Sequence, residues 1–288
     1  MSQEISFNIE DIMNIVNDSV PIQVCVGFGV AVFIILVIAF FKYLIYRINR
    51  NKKASPYLLK GSVAGNRSRI VYQDPNNTES VPILRSRDEK GGIEFTYTIW
   101  LNVNDWVNYR TGLWKHVFHK GSSNSFPPPE HSSQLGATSS TSSGTGNQYA
   151  MIAAPGLWFH PNTNSLRLYM NTFKNMNEYI DIENIPTNKW YHLTIVVKET
   201  SLNLYVNGFL KQKHHLSSLP RQNFGNAYIG MNGGFSGSVA DLKYYNYALT
   251  SAEIMRAVGK PPSSMTCTDG SGNNPPYLDT NWWQNKYN

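Results

Sequence analysis

The stretch Asn177–Asn184, NEYIDIEN, holds the residues whose types and spacing come nearest to a catalytic arrangement. Asp181 and Glu183 stand two apart, so on an extended strand they share a face and their side chains start roughly 7 Å from each other. An acid and a base at such a separation would suit an inverting attack on a glycosidic bond. Glu178 falls on the opposite face, and Tyr179 fills the place where a third acid would extend the row. The solvated face of an ordinary strand is the simpler account of the same pattern.

A second cluster opens WYHLTIVV, residues 190–197. Alternation sets Trp190, His192, Thr194 and Val196 on one face and Tyr191, Leu193, Ile195 and Val197 on the other. His192 therefore reads as a packed, hydrogen-bonded strand residue. His116, His119, His160, His214 and His215 show no metal-ligand spacing and read as surface or core residues. No run has the carboxylate density of a calcium loop, so no cofactor is expected from the residues themselves. Cys25 lies in an apolar run and Cys267 in a polar tail, which predicts no internal disulfide and suits a reducing compartment.

Strands must position these side chains. Ile93–Val103 alternates, with Ile93, Phe95, Tyr97, Ile99, Leu101 and Val103 on one face. Residues 166–170, 190–197, 202–206, 227–231 and 239–245 behave alike, and Asn207–Gly208 between two such runs is a hairpin turn, since both residues accept positive φ. After the N-terminal apolar run a single helix is expected, SAEIMRAV, opened by the Thr250…Glu253 capping box and stopped by Gly259 and Pro261. Many antiparallel strands with one short helix predict an all-β, two-sheet jelly-roll sandwich over residues 69–258. Trp190, Leu193, Ile195, Leu204 and Ile229 should be in its core.

Val20–Phe41 carries no charge over 22 residues, and a helix of that length covers roughly 33 Å, the hydrocarbon thickness of a bilayer. A single transmembrane helix is expected over 20–46, with Val24, Phe28, Phe33, Ile34, Leu36 and Phe40 among its lipid-facing residues. Residues 1–19 form a short acidic segment, and a basic linker follows at 47–68. Residues 1–41 hold four acids and no base, whereas 42–69 hold eight bases and no acid. This asymmetry orients the N-terminus across the membrane and the sandwich on the cytosolic side. Lys42, Arg47, Arg50, Lys52 and Lys53 should meet anionic headgroups. Because the excess positive charge sits in that one segment, the net charge of +6 is no sign of nucleic-acid binding.

Two segments lack strand character. Residues 122–148 form a Ser/Thr/Gly/Pro-rich loop too poor in apolar residues to order itself. Residues 259–288 read as an extended C-terminal arm whose Tyr277, Trp282, Trp283 and Tyr287 would dock on a partner.

Several stretches follow in order: EFTYTIWLNVNDW (94–106), HVFHKG (116–121), PGLWFHPNTNSLRLYMNT (155–172), IPTNKWYHLTIVV (185–197), LNLYVNGFLK (202–211) and YIGMNGGFSGSVADLKYYNYALTSAEI (228–254). Together they resemble the laminin-G-like branch of the concanavalin A-like lectin/glucanase jelly rolls. Glucanases of that superfamily carry E-x-D-x-E on one strand. Asp181 and Glu183 match its last two acids, but Tyr179 stands at the nucleophile's position, so no enzyme is expected. The resemblance also implies a low expectation of Ca²⁺, with Asp241 at a family acidic position. The membrane-anchored opening resembles proteins of large icosahedral DNA viruses, which implies a minor capsid or virion membrane protein. Its jelly roll would tether an internal membrane to capsid subunits. The alternative implied is a membrane-anchored lectin that binds glycan, and a glycosidase is the third reading.

Overall fold

The computed structural model describes residues 20–89, 92–106, 108–127 and 151–264. They fall into two compact units that divide after Lys53.

Helix α1 runs unbroken from Val20 to Ala54, all but its last residue in the first unit. Its stretch Val24–Arg50 is long and apolar enough to cross a membrane, and Val24, Phe28, Phe33, Ile34, Leu36 and Phe40 are all exposed on it. Lys42, Arg47, Arg50 and Lys53 are exposed on the same helix, and Lys52 also lies within its span. The helix therefore extends eight residues past the expected end at 46. Arg and Lys are good helix formers, and nothing breaks the pattern before Pro56, whose ring disfavours helical backbone at Ser55.

The second unit is a sandwich of two antiparallel sheets. The first has the order β1-β13-β4-β9-β10-β11, with β3 also paired to β4, and the second the order β2-β12-β5-β6-β7-β8. The strands of the first sheet are β1 (Ser62–Ala64), β3 (Arg87–Glu89), β4 (Gly92–Asp105), β9 (Trp190–Lys198), β10 (Ser201–Val206), β11 (Phe209–His215) and β13 (Ser236–Tyr245). Those of the second are β2 (Arg69–Val71), β5 (Lys115–Gly121), β6 (Ala153–Phe159), β7 (Ser165–Tyr169), β8 (Tyr179–Glu183) and β12 (Asn226–Ile229). Register aligns the apolar faces: Ile99 lies opposite Leu193, Tyr97 opposite Ile195 and Leu204 opposite Ile195. These residues join Phe118, Leu157, Leu166 and Ile182 of the facing sheet in one core. Leu193, Ile195, Leu204 and Ile229 are fully buried, whereas Trp190, at the head of β9 on the other face, is only half-buried. Asn207 (φ 50) and Gly208 (φ 85) turn β10 into β11. Helix α2 (Ser251–Val258) is opened by the Thr250–Glu253 capping box and packs Ile254 against Val196 and Leu249.

Two expectations are corrected. Residues 54–65, read as linker, are part of the sandwich. Leu58, Leu59 and Val63 are in the core, and the amides of Leu58 and Leu59 donate to the Leu242 carbonyl. The signal was weak because the segment carries one three-residue strand between a proline and glycines. Residues 239–245 also depart from strict alternation. Val239, Leu242 and Tyr244 are all in the core, because the pairing with β4 shifts between Ala240 and Lys243 and Asp241 takes φ 48. One extra residue at a bulge reverses the parity of every side chain after it. Lys243 and Tyr245 thereby reach the outer face.

Candidate functional site

The carboxylate strand is the edge strand β8. Its pleat sends Ile180 and Ile182 into the core and leaves Tyr179, Asp181 and Glu183 on the outer face, so the expected sharing of a face holds. Asp181 lies directly opposite Arg167 of β7 and accepts from its Nε (2.6 Å) and one terminal nitrogen (2.7 Å). That bidentate pair occupies both carboxylate oxygens. The same guanidinium lies 4.0 Å over the Tyr179 ring and 4.9 Å over Trp114. A carboxylate so held is oriented towards Arg167, and Tyr179, beside it on the same face, carries no carboxylate. Glu178 serves the fold. Burial opposes its charge, but bonds from Ser217, Thr172 and His214 outweigh this and hold its carboxyl below the usual carboxylate range.

His116 and His119 form a buried chain that the spacing did not reveal. Three residues apart on a regular strand, they would face opposite ways, but pairing with β6 shifts between His116 and Phe118 and brings both rings together. The Met231 amide donates to His116 Nδ1 (2.9 Å), so His116 Nε2–H donates to His119 Nδ1 (2.7 Å). His119 Nε2–H in turn donates to the Ser122 carbonyl (2.9 Å). His119 is stacked between Trp158 and Tyr228. Burial lowers both pKa values, His116 well below its usual range with help from His119, and His119 to about 4. Every ring nitrogen is satisfied and neutral, so the pair is structural.

The side chains best placed to meet a ligand line a polar, aromatic cleft on the outer face of the larger sheet. Its volume is about 170 Å³. Thr98 and Trp100 of β4 and His192 of β9 lie beside Lys243 and Tyr245, which the Asp241 bulge turned outward. Glu253 and Arg256 of α2 close one side, and Tyr57 and Pro261 also line the cleft. The Trp100 ring meets the His192 ring edge-on at 5.0 Å, and burial drives the His192 pKa down to about 4. His192 Nδ1 pairs with the Thr194 hydroxyl at 3.1 Å, the hydrogen-bonded strand role expected of it. Lys243 Nζ sits 4.7 Å over Tyr57 and 4.8 Å over Tyr245, and burial, then Lys260, lowers its pKa. Burial, then Tyr57, pushes the Tyr245 hydroxyl up to about 12.

Asp241 is a latch for this cleft. Its two oxygens accept from the amides of Gly61 (3.0 Å) and Ser263 (2.9 Å). The first residues of the C-terminal arm are thus held on the sandwich. Among the described residues no three His, Cys, Asp or Glu side chains are grouped to hold a metal. Tyr277, Trp282, Trp283, Tyr287, Cys267 and residues 128–148 of the loop lie outside the described residues. Sequence reasoning singled out Asp241 and His192 but not Trp100, Lys243 or Tyr245, because only the bulge and the return of residues 54–61 bring those elements together.

Two antiparallel sheets in this order, wrapped on one core, define a lectin-like jelly roll. The chain belongs to the concanavalin A-like lectin/glucanases superfamily, whose laminin-G-type model matches residues 76–255. No curated protein matches the chain. Among solved structures, the botulinum neurotoxin serotype G binding domain is similar at 12% identity and a TM-score of 0.44, over 69% of this chain and 46% of that one. The receptor binding domain of botulinum neurotoxin D is similar at 12% identity and a TM-score of 0.46, over 72% and 53%. A Trypanosoma rangeli sialidase in complex with 2,3-difluorosialic acid is similar at 16% identity and a TM-score of 0.37, over 58% and 22%. The chain spans about half or less of each of those structures.

Proposed function

We propose that this protein is a membrane-anchored recognition module that binds and does not cut. The observation that carries the reading is on β8: Asp181 is paired with Arg167 through both oxygens, and Tyr179 stands where the sequence resemblance puts the glucanases' nucleophile. The apolar helix α1 supports the anchor, with the N-terminus across the membrane and the jelly roll on the cytosolic side as the charge asymmetry orients it. A carbohydrate ligand is supported by the cleft at Trp100, where an aromatic ring lies among Asp, Glu, Lys and Arg side chains. At about 170 Å³ the cleft is smaller than the roughly 300–1,000 Å³ of a drug-sized site, so it suits one sugar residue at a chain end. The narrower assignment rests on the sequence resemblance of the opening strands. It would make the protein a minor capsid or virion membrane protein that joins an internal membrane to shell subunits.

The test pairs binding with turnover. The purified protein is screened for glycan binding and for hydrolysis, alongside Trp100→Ala, Arg256→Ala and Glu183→Gln. The expected result is saturable binding weakened by both cleft substitutions, with no hydrolysis and no effect of Glu183→Gln. Turnover that Glu183→Gln abolishes would contradict the reading.

A further inference from the structure

The loops on either side of Thr172 and Pro220 are laced together by the backbone. Phe173 N–H donates to the Leu219 carbonyl (3.1 Å), Arg221 N–H to the Asn171 carbonyl (2.8 Å), and Lys174 N–H to Ser218 Oγ (2.9 Å). Beneath them the Glu178 carboxylate accepts from the Ser217 amide and from the Thr172 and Ser217 hydroxyls. Lys120 fastens the next turn by donating to the Asn223 and Gly225 carbonyls. These bonds hold backbone whose side chains the core does not use. Phe224 is 99% exposed and Phe173 71%, with Leu219 and Leu84 each 44% exposed. The four surround a cleft of about 450 Å³ floored by Phe95 and Tyr97.

Charge completes the pattern. Arg85 follows Leu84, Lys174 follows Phe173, Arg221 lies two after Leu219, and all three are exposed. Among the described residues lining this cleft none is acidic. Aromatic and aliphatic side chains that stand out from backbone held in this way, between cations, fit an interface that is apolar inside and negative at its surface. An anionic bilayer has that profile. The volume falls within the range of a small-molecule pocket and is large enough to take part of an acyl chain.

We propose that this cleft and its rim are a lipid-binding site: Phe173, Leu219 and Phe224 enter the acyl region of an anionic phospholipid surface, and Arg85, Lys174 and Arg221 pair with its phosphates. The site is separate from the cleft at Trp100 and needs no catalytic residue. It rests on the membrane-anchored reading for the nearness of a bilayer, whose cytosolic leaflet carries the required negative charge.

The full-length protein is reconstituted into phosphatidylcholine vesicles with and without phosphatidylserine, each carrying an acyl-diazirine photolabel, and labelled peptides are mapped. The expected result is labelling of α1 in both, with labelling of residues 171–176 and 216–225 that rises when phosphatidylserine is present. Phe173→Ser with Phe224→Ser should remove most of the loop labelling and leave that of α1 unchanged. Arg221→Gln should lower the loop labelling about fivefold, the factor equivalent to 1 kcal/mol for one surface cation. Labelling confined to α1, or loop labelling indifferent to phosphatidylserine, would overturn the proposal, and the first outcome would leave the rim to a protein partner. Absence of α1 labelling would instead sink the membrane-anchored reading, so the two failures are distinguishable. Phe224 is so exposed that its substitution alone leaves the core intact, and Phe224→Ser serves as the control for folding.

Discussion

Three buried imidazoles tie this sandwich's stability to pH. His119 and His192 have pKa values near 4, and His116 is also depressed, each chiefly by burial. In the unfolded chain a histidine takes up its proton near pH 6.5, so below that pH the unfolded state binds more protons than the folded one. Stability contributed by the neutral rings is complete above about pH 6.5 and is lost as pH falls towards 4, on the order of 3 kcal/mol each for His119 and His192. Thermal melts from pH 7.5 to 4.5 should show this loss, and His119→Gln should melt lower at pH 7.5 but fall less on acidification. An acid slope identical in His119→Gln and the unaltered protein would mean that His119 is not buried and neutral. The contact of His116 with His119 was not legible in the sequence, where a spacing of three on a strand argues against it; the bulge near Val117 reverses that argument. His192 was legible because strict alternation holds along β9.

Elements were legible wherever alternation ran for five residues or more. The core strands β4, β7, β9 and β10 begin and end within two residues of the expected positions, because their apolar faces must meet in one register. The short strands β1 to β3 carry too few residues for a period, and tertiary pairing decides them. Leu193 and Ile195 face the second sheet fully buried, so Leu193→Ala or Ile195→Ala should cost about 2–5 kcal/mol in denaturant unfolding through the cavity left behind. Midpoints unchanged by either substitution would place β9 outside the core. The segment at 54–64 gives a second prediction at this scale. A chain that begins at residue 69 loses Leu58, Leu59 and Val63 from the core and the β1 pairing to β13, and should melt well below a chain that begins at residue 54. Equal melting temperatures would restore residues 54–68 to a linker.

For the molecule as a whole, two physical characters are joined in one chain: a helix whose exposed surface is apolar from Val24 to Phe41, and a sandwich that satisfies its own core. The first was legible from the absence of charge over Val20–Phe41, and the second from turn signals between alternating runs. The cleft at Trp100 was not, since its walls come from residues 57, 98–100, 192, 241–261 and only the fold assembles them. A helix with so many exposed apolar side chains is costly in water. The account therefore stands on the bilayer, and extraction tests it most directly. Membranes carrying the full-length protein are washed with high salt and then with alkaline carbonate, in parallel with a chain that begins at residue 54. The full-length protein should stay in the pellet through both washes while the shortened chain is recovered in solution; release of the full-length protein by salt alone would contradict the anchored module.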